Sequence, residues 1–130
     1  MVRDSWSVNR GDMKVQSYKE LNVWTKGIEI VDKIYKTTDA FPQKELYGLV
    51  SQLRRAAVSI PSNIAEGFAR QHTKEYMQYL HISLGSCAEL ETQLIISQKR
   101  NYLTDKELVE LQEDIDHESR MLANLIKSLK

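Results

Sequence analysis

Two adjacent arginines, Arg54 and Arg55, are the side chains of this sequence that are best suited to bind an anion. A guanidinium donates two parallel hydrogen bonds to one phosphate or carboxylate, which a lysine ammonium does not. Neighbouring residues on a helix point about 100° apart, so the two arginines face different surroundings. The sequence leaves two interpretations open: contact with phosphates, or structural ion pairs with Glu66, Glu89 or Glu118.

Other cations extend this candidate surface. Three lysines recur every seven residues along the first predicted helix, either as a solvated flank or as a strip that contacts phosphates. Two more cations flank the connection between the second and third predicted helices. The candidate nucleic-acid-binding set is Lys19, Lys26, Lys33, Arg55, Arg70 and Lys74.

No combination of residues predicts catalysis. The five glycines form no phosphate-binding loop, and the histidines are scattered. Asp114 and His117 have the i, i+3 spacing of a di-metal bundle, but no second such unit occurs. No arginine is followed after four to six residues by a histidine, the signature of HEPN-type ribonucleases. We therefore expect a protein that is not an enzyme, with no catalytic residue, metal or cofactor.

The elements that position these side chains are helices. Apolar residues separated by three and four positions predict four of them, and short connections favour antiparallel neighbours. The clearest start is the capping box of Thr104 and Glu107, and Pro42 occupies a position typical of a first helical residue. We predict an all-α, up-down-up-down four-helix bundle over residues 17–130, after a flexible tail over residues 1–16. The predicted helices span residues 18–39, 42–70, 74–100 and 104–130.

The second predicted helix contains a proline and an edge of small polar residues. Pro61 lacks a backbone donor and its ring clashes with the carbonyl four residues earlier, so we predict a kink there. Ser59, Asn63 and Gly67 follow i, i+4, i+8 spacing, which is more typical of a packing or oligomer interface than of an active site. Gly85 and Ser86 make part of the third predicted helix thin, so we expect a neighbouring backbone to pass close to it.

The first predicted helix carries more apolar surface than one seam requires. A heptad stripe of five residues lies beside a second stripe of three, and this excess predicts association between protomers. On the last predicted helix, Glu118 occupies a seam position where an apolar residue is expected. The first stripe comprises Leu21, Trp24, Ile28, Val31 and Tyr35, and the second comprises Val23, Ile30 and Ile34.

Composition adds few limits on function. A chain of 130 residues suffices for one domain, and its 18 basic and 18 acidic residues cancel, so net charge favours no particular partner. A single cysteine excludes an internal disulfide framework. No apolar run approaches the ~20 residues of a membrane span, and no signal peptide is visible. We expect a cytoplasmic protein without a membrane partner.

One continuous stretch resembles a known family. The run QLRRAAVSIPSNIAEGFAR, preceded by FPQKELYGL and followed by KEYMQYLHISLGSCAELETQL, is similar to the four-helix bundle family of 23S ribosomal RNA intervening-sequence proteins. That family is related to Avd, the accessory protein of diversity-generating retroelements. The resemblance covers roughly Tyr18 to Leu125 and implies a homopentameric barrel. It also implies structural roles for Arg54, Glu66 and Glu89.

These observations lead to one principal hypothesis and two alternatives. The principal one is a non-enzymatic oligomer that binds nucleic acid, structured RNA first, through a basic surface repeated around a ring. One alternative is an accessory subunit that binds a reverse transcriptase and its RNA in a diversity-generating retroelement. The other is a purely structural oligomer.

Overall fold

The structure, a computed structural model, describes residues 15–130. Within this part of the chain all regular elements are helical and none is a strand, which confirms the predicted all-α class with four long helices. Residues 1–14, with most of the predicted tail and Trp6, lie outside the described residues. Val15, at the end of that predicted tail, is buried in the core. The four long helices are α1 (Asn22–Thr38), α2 (Leu49–Arg70), α3 (Thr73–Lys99) and α4 (Asp105–Ser128).

The start of α2 differs from the prediction. Pro42 does not begin the long helix; it precedes a 3-10 turn over Gln43–Glu45, and α2 begins only at Leu49. Gly48 interrupts the helical path with φ −113° and ψ −108°. The side chain of Glu45 then accepts a hydrogen bond from the Leu49 N–H at 3.3 Å. The predicted start of this helix was wrong because a short turn followed by a helix can carry the same apolar stripe as one continuous helix, so the sequence pattern does not distinguish them.

The start of α4 agrees with the prediction. The Thr104 hydroxyl accepts a hydrogen bond from the Glu107 N–H at 3.1 Å, and the Glu107 carboxylate accepts one from the Thr104 N–H at 2.8 Å. This reciprocal pairing satisfies two backbone donors that a helix start otherwise leaves open. The capping box is therefore confirmed, and it gives α4 a well-defined first turn.

Each helix packs on the next one in the chain, and α4 packs on α1. The pair α2 and α3 makes the most extensive contact, across a link of two residues in which Gln71 adopts the left-handed conformation at φ 60°. Ser59 meets Ser86, whereas Gly67, further along α2, meets Tyr79, earlier on α3. Moving forward along α2, the contacting residues therefore move backward along α3, as in an antiparallel pair of helices.

The three-residue stripe predicted for α1 faces the core, whereas the five-residue stripe is divided: Leu21 is buried, Trp24 and Val31 are half-buried, and the other two residues are exposed. Val23, Ile30 and Ile34 are buried, whereas Ile28 and Tyr35 are 43% and 41% exposed. The wide apolar face thus divides into a core side and a solvent side. The largest fully buried apolar side chains are Ile30, Ile34, Leu53, Ile60, Ile64, Leu80, Leu90, Leu94 and Leu122.

A carboxyl group is buried among these apolar side chains. Glu118 of α4 is 0% exposed, and neither carboxyl oxygen has a hydrogen-bond partner among the described residues. Gly27 of α1 makes room for it, since a Cβ at that position would lie 3.2 Å from Glu118 Oε2 and 3.2 Å from Pro61 Cβ. Burial raises the pKa of Glu118 to about 8, against a weaker opposing effect of Lys26. The carboxyl is therefore mainly protonated at neutral pH.

Candidate nucleic-acid interface

Two of the predicted phosphate ligands, Lys26 and Lys33, are held in ion pairs on the α1–α4 surface. Their ammonium groups donate to the two oxygens of Asp114 at 2.8 and 2.7 Å, and both lie near Glu29. The hydrogen bond to Asp114 is the main reason that the pKa of Lys33 is raised. Burial disfavours the Asp114 carboxylate, but hydrogen bonds from both lysines outweigh it and lower its pKa. This arrangement joins α1 to α4.

Arg54 is held in a fixed position on α2. Its Nε donates to Thr38 Oγ1 at 2.9 Å and its Nη2 donates to Asp39 Oδ1 at 3.0 Å. The guanidinium also lies over the Tyr35 ring, 4.5 Å from the ring centroid. These contacts join α2 to the end of α1. The acidic partner of Arg54 is Asp39, which was not among the three predicted partners Glu66, Glu89 and Glu118.

Arg55 lies on the outer side of α2 and faces α3. Its Nη2 donates to Glu89 Oε2 at 2.7 Å, and both side chains are substantially exposed. The sequence left open an ion pair between one of the two arginines and Glu89, and the structure contains this ion pair at Arg55. An exposed ion pair of this kind contributes little to stability.

The remaining predicted cations lie at the surface near the α2–α3 link and on the turn before α1. Arg70 donates to Tyr79 Oη at 2.8 Å and lies 3.5 Å from Glu66. Interactions with Tyr79, and then with Glu66, raise the pKa of Arg70. Lys19 and Lys74 are exposed and form no ion pair with any residue that the structure describes. Lys19 belongs to the 3-10 turn Tyr18–Glu20, which packs against α2.

The small polar edge of α2 is a helix-packing surface. The hydroxyls of Ser59 and Ser86 share a hydrogen bond of 2.8 Å, and the Asn63 amide donates to the Ser59 carbonyl at 2.8 Å. A Cβ on Gly67 would lie 2.6 Å from the Tyr79 Cβ, closer than real Cβ atoms approach. These residues therefore bring α2 and α3 together.

Gly85 does not have the role predicted for it within the chain. A Cβ built on Gly85 meets nothing within 4 Å, so no other part of the described chain approaches it. The residue is exposed, and the buried side of that turn of α3 carries Ser86 and Cys87 instead. Of the two small residues predicted to make the helix thin, Ser86 therefore faces α2 and Gly85 faces outward.

A second group of cations was missed by the sequence analysis. Lys44 and Arg100 are exposed, form no ion pair within residues 15–130, and both act electrostatically on Glu45. Glu45 accepts a hydrogen bond from Tyr102 Oη at 2.8 Å, which is the main cause of its lowered pKa. Near them Tyr47 is 93% exposed. In the sequence, Lys44 and Tyr47 come just before Gly48, which could have indicated an exposed turn with a cation and an aromatic ring. An analysis of helical periodicity does not detect this.

Within the described residues, no three side chains of the His, Cys, Asp or Glu type lie together as metal ligands would. Cys87 is buried, which raises the pKa of its thiol to about 12. None of the described helices combines the length and the apolar character that crossing a lipid bilayer requires.

Comparisons with known proteins agree with this helical architecture. A crystal structure at 1.70 Å resolution, of a protein of unknown function from the S23 ribosomal protein family of Bacteroides thetaiotaomicron, matches with a TM-score of 0.75 and 23% sequence identity. The match covers 81% of this chain and 95% of that one. No curated protein matches. The family model of the 23S rRNA-intervening sequence protein matches residues 19–124, and the chain therefore belongs to this family.

Proposed function

We propose that this protein is a non-enzymatic homo-oligomer that binds nucleic acid, with structured RNA as its ligand. The observation that carries the proposal is a surface of exposed cations around the α2–α3 link, in a chain of the 23S rRNA-intervening sequence family. We define the link surface as Lys19, Arg70 and Lys74. Lys19 and Lys74 have no carboxylate partner among the described residues, and the ion pair of Arg70 with Glu66 is long and exposed, so phosphates can reach all three.

Availability of the cations favours the link surface over the lysine line on α1. Lys26 and Lys33 would have to leave Asp114 before binding a phosphate, whereas Lys19 and Lys74 have no such partner among the described residues. The carboxylate of Glu20 is occupied by the backbone N–H groups of residues 16 and 17. Glu20, Glu66 and Glu75 balance the three cations of the link surface in number, so its advantage is that Lys19 and Lys74 are not held in ion pairs with any described residue.

The outer face of α3 supports association between copies. Ile82, Ile95 and Ile96 are 50%, 37% and 45% exposed, and Gly85 lies between them along the helix. Exposed isoleucines at two places along one helix add apolar surface that a second copy of the chain could cover. The family resemblance favours a homopentameric barrel, in which five link surfaces would act together through multivalency.

Two finer features of the fold belong to the same proposal. The antiparallel contacts of α2 with α3 support an up-down-up-down bundle. The contact of Arg54 on α2 with Asp39 at the end of α1 supports the same arrangement for α1 and α2. Pro61 lies inside α2, where its ring conflicts with the carbonyl of Ala57. We therefore expect a bend in α2 at this point.

The test is RNA binding measured by fluorescence anisotropy over a salt series. The variant Lys19→Ala/Arg70→Ala/Lys74→Ala is expected to lower the slope of log Kd against log salt by about 2 to 3 for each protomer that contacts a duplex. The matched control Lys36→Ala/Lys106→Ala/Arg120→Ala removes the same charge elsewhere and should change the slope less. Sedimentation must show that both variants keep the wild-type mass.

Absence of RNA binding by the wild type at low salt would refute the proposal for the isolated protein. The alternative, an accessory subunit that binds a protein partner, would then be tested by co-purification with a reverse transcriptase. Equal slopes for the two triple variants would refute the assignment of the link surface while leaving RNA binding intact.

A further inference from the structure

A groove between α1 and α2 opens on the surface beside the 3-10 turn Gln43–Glu45. Its volume is about 460 Å³, within the range of pockets that hold small molecules. Its walls include Tyr35, Tyr47, Arg54 and Val58. The groove thus combines aromatic rings with a guanidinium, although its residues lie outside the link surface.

Arg54 is ready to bind an anion without rearrangement. The contacts with Thr38, Asp39 and Tyr35 fix the guanidinium plane, yet they use only two of its N–H groups. A guanidinium carries five N–H donors, so three have no acceptor among the described residues. A fixed donor loses less conformational entropy on binding than a mobile lysine does.

Tyr47 supplies an open aromatic face at the end of the groove. At 93% exposure both faces of the ring are accessible, which is unusual for a large aromatic side chain. Bases stack on such rings with little dependence on sequence. An exposed tyrosine flanked by cations is the combination found in proteins that bind single strands.

Charge around Tyr47 is favourable for phosphates. Two nearby carboxylates are in ion pairs, Asp39 with Arg54 and Glu89 with Arg55, whereas Glu45 accepts hydrogen bonds from the neutral Tyr102 and the Leu49 N–H and keeps its charge. In contrast, the exposed cations Lys44 and Arg100 form no ion pair within the described chain. Lys44 and Arg100, which both act on Glu45, exceed its charge by one, so the surface next to the groove carries a small positive excess.

We propose that this groove is a subsite for an unpaired nucleotide of RNA. The base stacks on Tyr47, and the flanking phosphates contact Arg54, Lys44 and Arg100. The inference rests on the proposed function and deepens it, because it selects single-stranded segments such as loops over continuous duplex. A duplex keeps its bases stacked on one another and offers none to Tyr47.

The experiment compares a labelled 12-nucleotide single-stranded RNA with a duplex of the same length, by anisotropy. Tyr47→Ala is expected to weaken single-strand binding by about 5- to 150-fold, the range of one lost stacking contact. Tyr47→Phe keeps the ring and should remain within about twofold of the wild type, since stacking needs no hydroxyl. Duplex binding should be the same in all three proteins. Val109→Ala removes an exposed apolar side chain on α4 as the control.

Each outcome decides the inference. If the wild type binds RNA and Tyr47→Ala binds the single strand equally well, the subsite is refuted and the proposed function stands. If the wild type binds neither RNA, the proposed function fails and the subsite fails with it. If Tyr47→Ala instead changes the sedimentation mass, the groove is a contact between protein chains and the subsite is refuted.

Discussion

The buried carboxyl of Glu118 makes the stability of the bundle depend on pH, and Glu118→Gln tests this. The ordinary pKa of a glutamate is 4.5, and burial raises that of Glu118 to about 8. Between these values the folded protein keeps a proton that the unfolded chain releases. The free energy of unfolding therefore falls as pH rises from 4.5 to 8 and is unaffected by this group above 8.

The magnitude follows from the size of the shift. Each pKa unit corresponds to about 1.4 kcal/mol, so the loss accumulates to about 3 kcal/mol at pH 7 and about 5 kcal/mol at pH 8. Glu118→Gln keeps the shape of the side chain and removes the proton equilibrium. It also buries an amide that lacks a partner, at a cost of about 1 to 3 kcal/mol that does not vary with pH. The difference between the two proteins should thus change steadily with pH in favour of glutamine.

The assay is urea unfolding at fixed protein concentration, at half-unit steps from pH 5 to 9. Glu113→Gln is the matched control, because Glu113 is exposed on the same helix and should leave the pH profile unchanged. Parallel profiles for Glu118→Gln and the wild type would show that Glu118 is not buried as described.

Three further results are expected. Gly67→Ala places a Cβ against Tyr79 and should lower the free energy of unfolding by about 1 to 3 kcal/mol in urea titrations, whereas an unchanged midpoint would contradict the close approach. Thr104→Ala removes the capping box and should cost about 1 kcal/mol, with Thr104→Ser close to the wild type in the same titrations. Asp114→Asn removes a carboxylate with a lowered pKa that binds two lysines. Its destabilisation should therefore be full above pH 4 and shrink as pH falls, and a constant difference in acid titrations would argue against the ion pairs.

Features set by neighbouring residues in the chain were predictable from sequence. The capping box at Thr104 depends only on residues three positions apart, and it occurs as predicted. The burial of Glu118 followed from its place on the apolar seam of α4. Helical periodicity likewise located the core of α3, because one buried face repeats over many turns.

Features set by distant residues were not predictable. Lys33 and Asp114 lie 81 positions apart, and nothing in either helix alone identifies this pair. The exposure of Tyr35 depends on which of two adjacent apolar stripes the other helices cover. The open face of Tyr47 depends on the fold of a short turn, where packing rather than propensity decides the conformation.

The close pairing of α2 and α3 has a consequence for how the chain folds. These helices share the most extensive contact of the bundle and are separated by only two residues, so bringing them together costs little loop entropy. Contacts between α1 and α4 join parts of the chain more than 80 positions apart and must form against a larger entropy. We expect the α2–α3 hairpin to be the folding nucleus, with φ-values near Ser59 and Ser86 above those near Asp114. Variants at Ser59 would then slow folding, whereas variants at Asp114 would mainly speed unfolding.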